Sequence, residues 1–206
     1  MIKRILLFTA FALALTFVSK AQHLELYPFA GYTFGTHCYV TGGTAKLSDG
    51  FTYGGTLSIV AGQNNSVEVT YMRQDATGTA NSIIPGFINV KDPMSVNYIF
   101  IGGSRLFPVN DMVTPFFGAN VGMGILASKD NYFSNIEKLA FGVDLGVKIM
   151  VSDKVGIRLQ SNLNMPVTNV GAGLWWSSGG GSSVGVTGNI PFVQFGFTGG
   201  LILRMK

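Results

Sequence analysis

Charge is scarce in this chain. Charged residues make up 12% of its 206 positions, where an ordinary soluble domain carries roughly 25%, which argues against a conventional solvated surface. Cysteine is all but absent: Cys38 stands alone, which rules out an internal disulfide framework. Beyond the N-terminus no run of about 18 continuous apolar residues exists, so no membrane-spanning helix is expected in the mature chain. There is also no phosphate-cradling glycine loop opening a helix, no Cys/His metal spacing and no nucleophile elbow. Gly179-Gly180-Gly181 reads as loop rather than as a nucleotide motif. The formal charge of +4 depends on Lys3, Arg4 and Lys20 in an acid-free leader; without them 11 basic residues face 10 acidic ones. That balance gives no electrostatic reason to expect nucleic acid as a partner.

What is present begins with the leader. Lys3-Arg4, an apolar run from Ile5 to Val18 and Ser19-Lys20-Ala21 form the three parts of a secretory signal, with cleavage expected after Ala21. The run is too short to span a bilayer. The chain therefore divides into a removable segment, 1–21, and one domain, 22–206. An exported, apolar, glycine-rich chain without a spanning helix is either a secreted β-sandwich or an outer-membrane barrel.

The strand pattern decides between them. Period-two segments rich in aromatic and β-branched residues are predicted at 24–34, 51–61, 66–74, 94–106, 112–126, 138–150, 154–165 and 191–205. Their connections alternate in length. Short turns at 61–65, 107–111 and 151–154 are rich in Gly, Pro, Asn and Asp, while long loops fall near 35–50, 75–93, 127–137 and 166–190. A sandwich has no reason to sort its loops this way, whereas an outer-membrane barrel keeps short turns on the periplasmic side. Two further strands at 168–176 and 183–190 would make ten.

Parity within strands is the sharper signal, because lipid excludes charge at mid-depth. In the sixth segment Leu139, Phe141, Val143, Leu145, Val147 and Ile149 oppose Ala140, Gly142, Asp144, Gly146, Lys148 and Met150. The second, fifth, seventh and eighth segments divide as cleanly, and the polar parity holds nearly all the glycine, which makes room in a narrow lumen. The fourth is read with Val96, Tyr98 and Phe100 outward and Ser95, Asn97 and Arg105 inward. Pro28, in the middle of the first, implies a bulge or a locally broken pairing. Tyr27, Tyr32, Phe34, Phe51, Tyr53, Tyr71, Tyr98, Phe107 and Phe192 lie toward strand ends, as interfacial girdles or simple β-propensity would place them.

The texture of Thr114-Pro-Phe-Phe-Gly-Ala-Asn-Val-Gly-Met-Gly124, followed by Phe141-Gly-Val-Asp-Leu-Gly-Val-Lys148 and Asp153-Lys-Val-Gly-Ile-Arg158, resembles the OmpA/OmpX-type outer-membrane β-barrel domain. The resemblance covers essentially the mature chain. It implies an all-β, eight-stranded, antiparallel up-and-down transmembrane barrel, monomeric in outer-membrane lipid and inserted by the barrel assembly machinery. The chain departs from that pattern in ending Leu203-Arg204-Met205-Lys206 without a terminal aromatic, and in having no peptidoglycan-binding domain after the last strand.

The inward parity collects Glu68, Arg105, Asp144, Lys148, Arg158 and Arg204, with Glu25 as a further member. A hairpin centred on the 151–154 turn would set Arg158 opposite Gly146. Because buried charges persist when paired, the expectation is a lumenal salt-bridge network that plugs the barrel; the competing reading is a narrow hydrated pore. Trp175 and Trp176, on a Gly/Ser frame in the fourth long loop, form a candidate surface contact, and Ile83 to Ile88 give the second long loop an apolar tip. His37-Cys38 lacks a third ligand, so no metal or cofactor is expected. A lipid-modifying enzyme would need His37 with Ser48 or Asp49 and is the least favoured function. A structural or surface-interaction barrel is favoured, with a small channel as the alternative; the surface ligand is unidentified.

Overall fold

The computed structural model describes residues 21–40, 43–82, 90–128, 136–167 and 193–205. It contains strands and turns, with no helix among the described residues. Eight strands form the barrel: β1 (Ala21–Thr33), β4 (Gly50–Ala61), β5 (Asn65–Ser82), β6 (Val90–Leu106), β7 (Val113–Ser128), β8 (Ile136–Met150), β9 (Val155–Pro166) and β10 (Gln194–Met205). Each pairs antiparallel with its chain neighbours, and β1 joins β10 to close the ring. No sheet edge is left in the barrel wall, so backbone donors and acceptors are satisfied without water. Because β9 pairs directly with β10, from Asn164↔Gln194 to Val155↔Leu203, two additional strands do not enter the ring.

Two shorter strands, β2 (Thr36–Val40) and β3 (Gly43–Leu47), make a hairpin. This corrects the reading of 35–50 as plain loop. β3 continues the sheet alongside the far end of β5, from Leu47↔Gly78 to Gly43↔Ser82, just beyond the point where β4 has ended. β5 and β6 also run past their expected limits and remain paired as far as Ala80↔Val90. The expected leader (residues 1–20 of it), the tip Ile83–Ile88, the pair Trp175–Trp176 and most of the fourth long loop lie outside the described residues.

Alternation explains why these residues pair as they do. Leu26, Leu57, Val69, Phe117, Val121, Leu145, Leu159 and Leu201 all point out of the ring and are 39–61% exposed, a continuous apolar band far larger than a water-soluble monomer tolerates. Inward positions carry the polar groups and most of the glycine. At Gly146 a Cβ would sit 2.7 Å from the Phe116 ring and 2.3 Å from the Leu159 carbonyl, so the missing side chain is what admits Phe116 and Gln160 to the lumen.

Two local expectations are revised, and at Pro28 the locally broken pairing is found in place of the bulge. β6 has the opposite parity: Val96, Tyr98 and Phe100 are buried at 4%, 1% and 3%, while Ile99 and Ile101 are 50% and 57% exposed. The turn after Leu106 pairs that residue with Phe116, so even positions of β6 must share the inward face of even positions in β7. Tyr98 is consequently interior, and Tyr27 on β1 is interior as well, whereas Tyr32, Phe34, Phe51, Tyr53, Tyr71 and Phe107 are exposed on the outer surface, as a girdle requires. At Pro28 there is no bulge. The β1–β4 register runs through it unbroken, and only the β10 side lapses, between Leu26↔Leu203 and Phe29↔Gly200, where proline has no N–H to give.

Candidate functional site in the barrel lumen

Nearest the short turns, Glu25 of β1 draws in two cations. Lys148 Nζ donates to its Oε2 at 2.7 Å, and Arg204 donates to Oε1 through Nη2 at 3.1 Å and Nε at 3.3 Å. His23 Nε2 lies 3.0 Å from the same Oε1. Beside this group Glu68 of β5 receives both arms of the Arg158 guanidinium, at 3.2 and 3.0 Å, and further bonds from Ser66 at 2.9 Å and Ser58 at 3.4 Å. Arg158 Nε donates to Gln160 at 2.6 Å. The faces of the guanidinium meet Phe116 at 4.2 Å and Tyr27 at 5.0 Å from the ring centres, contacts that a planar delocalised cation favours.

Lys148 and Arg158 are directly opposite in the β8–β9 register, a like-charge pairing that is unfavourable by itself. Each turns to a different carboxylate on a different strand, and that resolves the conflict. The expected pairing of Arg158 with Gly146 is therefore off by two: the last pair before the turn is Met150↔Gly156, and Gly146 faces Gln160.

Asp144 forms a third centre. It accepts from Asn120 at 2.6 Å and Asn162 at 2.8 Å, and Thr198 donates to Asn162 at 3.1 Å. Farther from the short turns the character changes mainly to amides and hydroxyls, with Asp92 a buried carboxylate among them. Tyr98 donates to Gln194, which donates to Gln74, both at 2.5 Å. Thr33 and Thr52 share a 2.7 Å bond. Around them pack Phe29, Met72, Met94, Val96 and Phe100, with Leu47 of the added hairpin buried at 4%.

Of the expected network, Glu68, Asp144, Lys148, Arg158 and Arg204 are brought together in the lumen, and Glu25 joins them. Arg105 does not. It lies on the outer surface at the short-turn rim and donates to Asn65 at 2.9 Å, a consequence of the reversed parity of β6. Parity reasoning on β6 also missed the Tyr98–Gln194–Gln74 chain; the signal was available in the even-to-even register that the short turn imposes. His37 is exposed on β2 opposite Lys46. Ser48 is engaged with the Asp49 carbonyl and the Thr77 amide, and the Asp49 carboxylate with the Tyr32 hydroxyl. Among the described residues no group of three or more His, Cys, Asp or Glu is placed to hold a metal ion.

A closed ring of eight antiparallel strands has known counterparts. Neisserial surface protein A superposes with a TM-score of 0.59 at 15% identity, over 88% of this chain and 97% of that one. The fold is that of the small outer-membrane β-barrels. The outer membrane protein OprG of Pseudomonas aeruginosa matches this barrel with a TM-score of 0.58 at 10% identity, covering 90% and 97% of the two chains. The N-terminal barrel of OprF from the same organism gives 0.54 at 7% identity, covering 90% and 98%. No protein-family model and no curated protein sequence matches the chain. What these small outer-membrane barrels share with the chain is thus architecture, carried by alternation and register with little sequence in common.

Proposed function

We propose that this protein is a non-enzymatic barrel of a diderm outer membrane, exported by residues 1–21, with its lumen closed by the charge network and its role structural or surface-interactive. In this reading the short turns and both termini face the periplasm, the long loops face outward, and Trp175 and Trp176 form a surface contact. The observation that carries it is the reciprocal placement of charge in the short-turn half of the ring. Glu25, Glu68 and Asp144 offset Lys148, Arg158 and Arg204, and four of these six are 1–3% exposed. Ions crossing such a lumen would have to break pairs that are costly to break.

Conductance in planar bilayers tests the closure. The wild type is expected to give no stable open events and Glu68→Ala to give them; stable wild-type openings left unchanged by Asp144→Ala would replace the plug with a channel. Extraction of envelopes with sodium carbonate should leave the protein in the membrane pellet. Deletion of 166–190 should abolish binding to surfaces, and binding that survives would clear the tryptophan pair of that role.

A further inference from the structure

The sheet continues past the level at which hydrocarbon ends. On β5 the outward residues run Val67, Val69, Tyr71 and then Arg73 and Asp75. On β6 they run Ile101, Ile99 and then Asn97. Charge on a lipid-facing wall is tolerated only near the interface, so Arg73 marks the upper limit of the hydrocarbon on the long-loop side. β5 and β6 nevertheless stay paired as far as Ala80↔Val90, and β3 widens the same extension on the other flank of β5.

One row of residues crosses this extension. Lys46 of β3 is opposite Thr79 of β5, and Thr79 is opposite Lys91 of β6. Directly paired residues share a face of the sheet, and the next residues along, Leu47 and Asp92, are buried inward at 4% and 1%. The row therefore points outward, continuous with the lipid-facing wall below it. Both lysines are exposed, and among the described residues neither has an ion pair or a hydrogen bond. The acids nearest on the membrane side, Asp75 and Asp49, are engaged by Arg73 and by the Tyr32 hydroxyl. Two strand spacings, about 9.6 Å, separate the two lysine stems. A pair of cations open on the outward side and matched by no carboxylate in its own row calls for an anion.

Height selects which anion. Thr79 is six residues beyond Arg73 on β5, about 20 Å along a strand and about 15 Å along the membrane normal at the usual barrel tilt. The headgroup layer of a phospholipid leaflet adds only about 5–8 Å to the hydrocarbon, so its phosphates lie below the row. We propose that Lys46, Thr79 and Lys91 bind phosphate groups on the sugar headgroup of an outer-leaflet glycolipid. The two ammonium groups pair with phosphate as point charges on flexible stems, with the Thr79 hydroxyl between them as a third donor. Because the row faces sideways, its neighbour in the plane of the membrane is a lipid headgroup, and a lipid crowned with sugars is tall enough to reach it. The acyl chains of the same molecule stand below, against Val69, Tyr71, Ile99 and Ile101. The inference rests on the reading that the long loops face outward.

Native mass spectrometry of the purified barrel, released from micelles holding lipopolysaccharide with a phosphorylated core, tests this. The wild type is expected to retain the glycolipid, and the double variant Lys46→Gln with Lys91→Gln to retain roughly tenfold less. Each single variant should be intermediate, and replacement of both lysines by arginine should stay close to wild type. The difference should vanish with a dephosphorylated core, and with lipid A alone, whose phosphates lie at the membrane surface. Lys154→Gln, at the opposite rim, should leave retention unchanged, and soluble core oligosaccharide at equal concentration should not displace the lipid. Equal retention by the double variant and wild type, the same loss in Lys154→Gln, a difference that persists with lipid A, or displacement by the soluble oligosaccharide would overturn the proposal. A tag inserted between Pro85 and Gly86, read by antibody on intact cells, tests the orientation separately: silence there overturns the outward loops, while binding by the purified barrel is measured without reference to orientation. Heat-modifiable gel mobility confirms that each variant is folded before it is scored.

Discussion

The two halves of the lumen are filled by opposite means. Toward the short turns the interior is ionic: Glu25, Glu68, Lys148 and Arg158 are 1–3% exposed and mutually paired. Toward the long loops it is mainly apolar, with Phe29, Met72, Met94, Val96 and Phe100 packed beneath Leu47, and the polar groups there are amides and hydroxyls together with the buried carboxylate of Asp92. The two solutions fail differently. Removing one partner of a buried ion pair strands a charge, whereas truncating an apolar side chain leaves a void. The ionic half is thus the more specific of the two, since each charge fixes the position of another strand.

This contrast can be broken from its ionic side first. Glu68→Ala leaves the Arg158 guanidinium buried without its carboxylate and should cost about 3–5 kcal/mol, read as a lowered urea midpoint of the micelle-bound protein by circular dichroism. On the apolar side Phe100→Ala should cost a comparable or slightly smaller amount, about 3–4 kcal/mol, by cavity formation. Its midpoint should fall while the bilayer remains silent, because the ionic half is intact. An outcome in which Phe100→Ala conducts and Glu68→Ala does not would invert the assignment of the seal.

Smaller effects sharpen it. Gly146→Val places atoms against Phe116 and the Leu159 carbonyl and should destabilise by about 1–3 kcal/mol through overpacking. Tyr98→Phe removes the donor to Gln194 and should cost about 1–2 kcal/mol, again by urea titration. Arg105→Gln, on the outer rim, should stay within about 0.5 kcal/mol of wild type. A large effect there would mean that Arg105 belongs to the lumen after all.

Much of this is legible in the sequence. The eight segments, the alternation of short turns and long loops, and the inward set Glu68, Asp144, Lys148 and Arg158 follow from period-two patterning, because lipid and lumen demand opposite side chains at successive positions. β6 escaped because both of its faces are apolar: Ile99 and Ile101 compete with Val96, Tyr98 and Phe100, and composition does not rank them. Only its pairing with β7 does. The hairpin β2–β3 was hidden in a stretch too short and too rich in glycine and threonine to announce two strands.

Sequence alone thus determined which residues face hydrocarbon in most strands and that the strands number eight, since alternation is a local property of each segment. Tertiary structure decided which charge meets which. Glu25 and Arg204 are separated by 179 positions and Glu68 and Arg158 by 90, and partners that distant are chosen by the closure of the ring and the register of each turn, where a one-residue difference in the turn at 151 moves every opposing pair by a step.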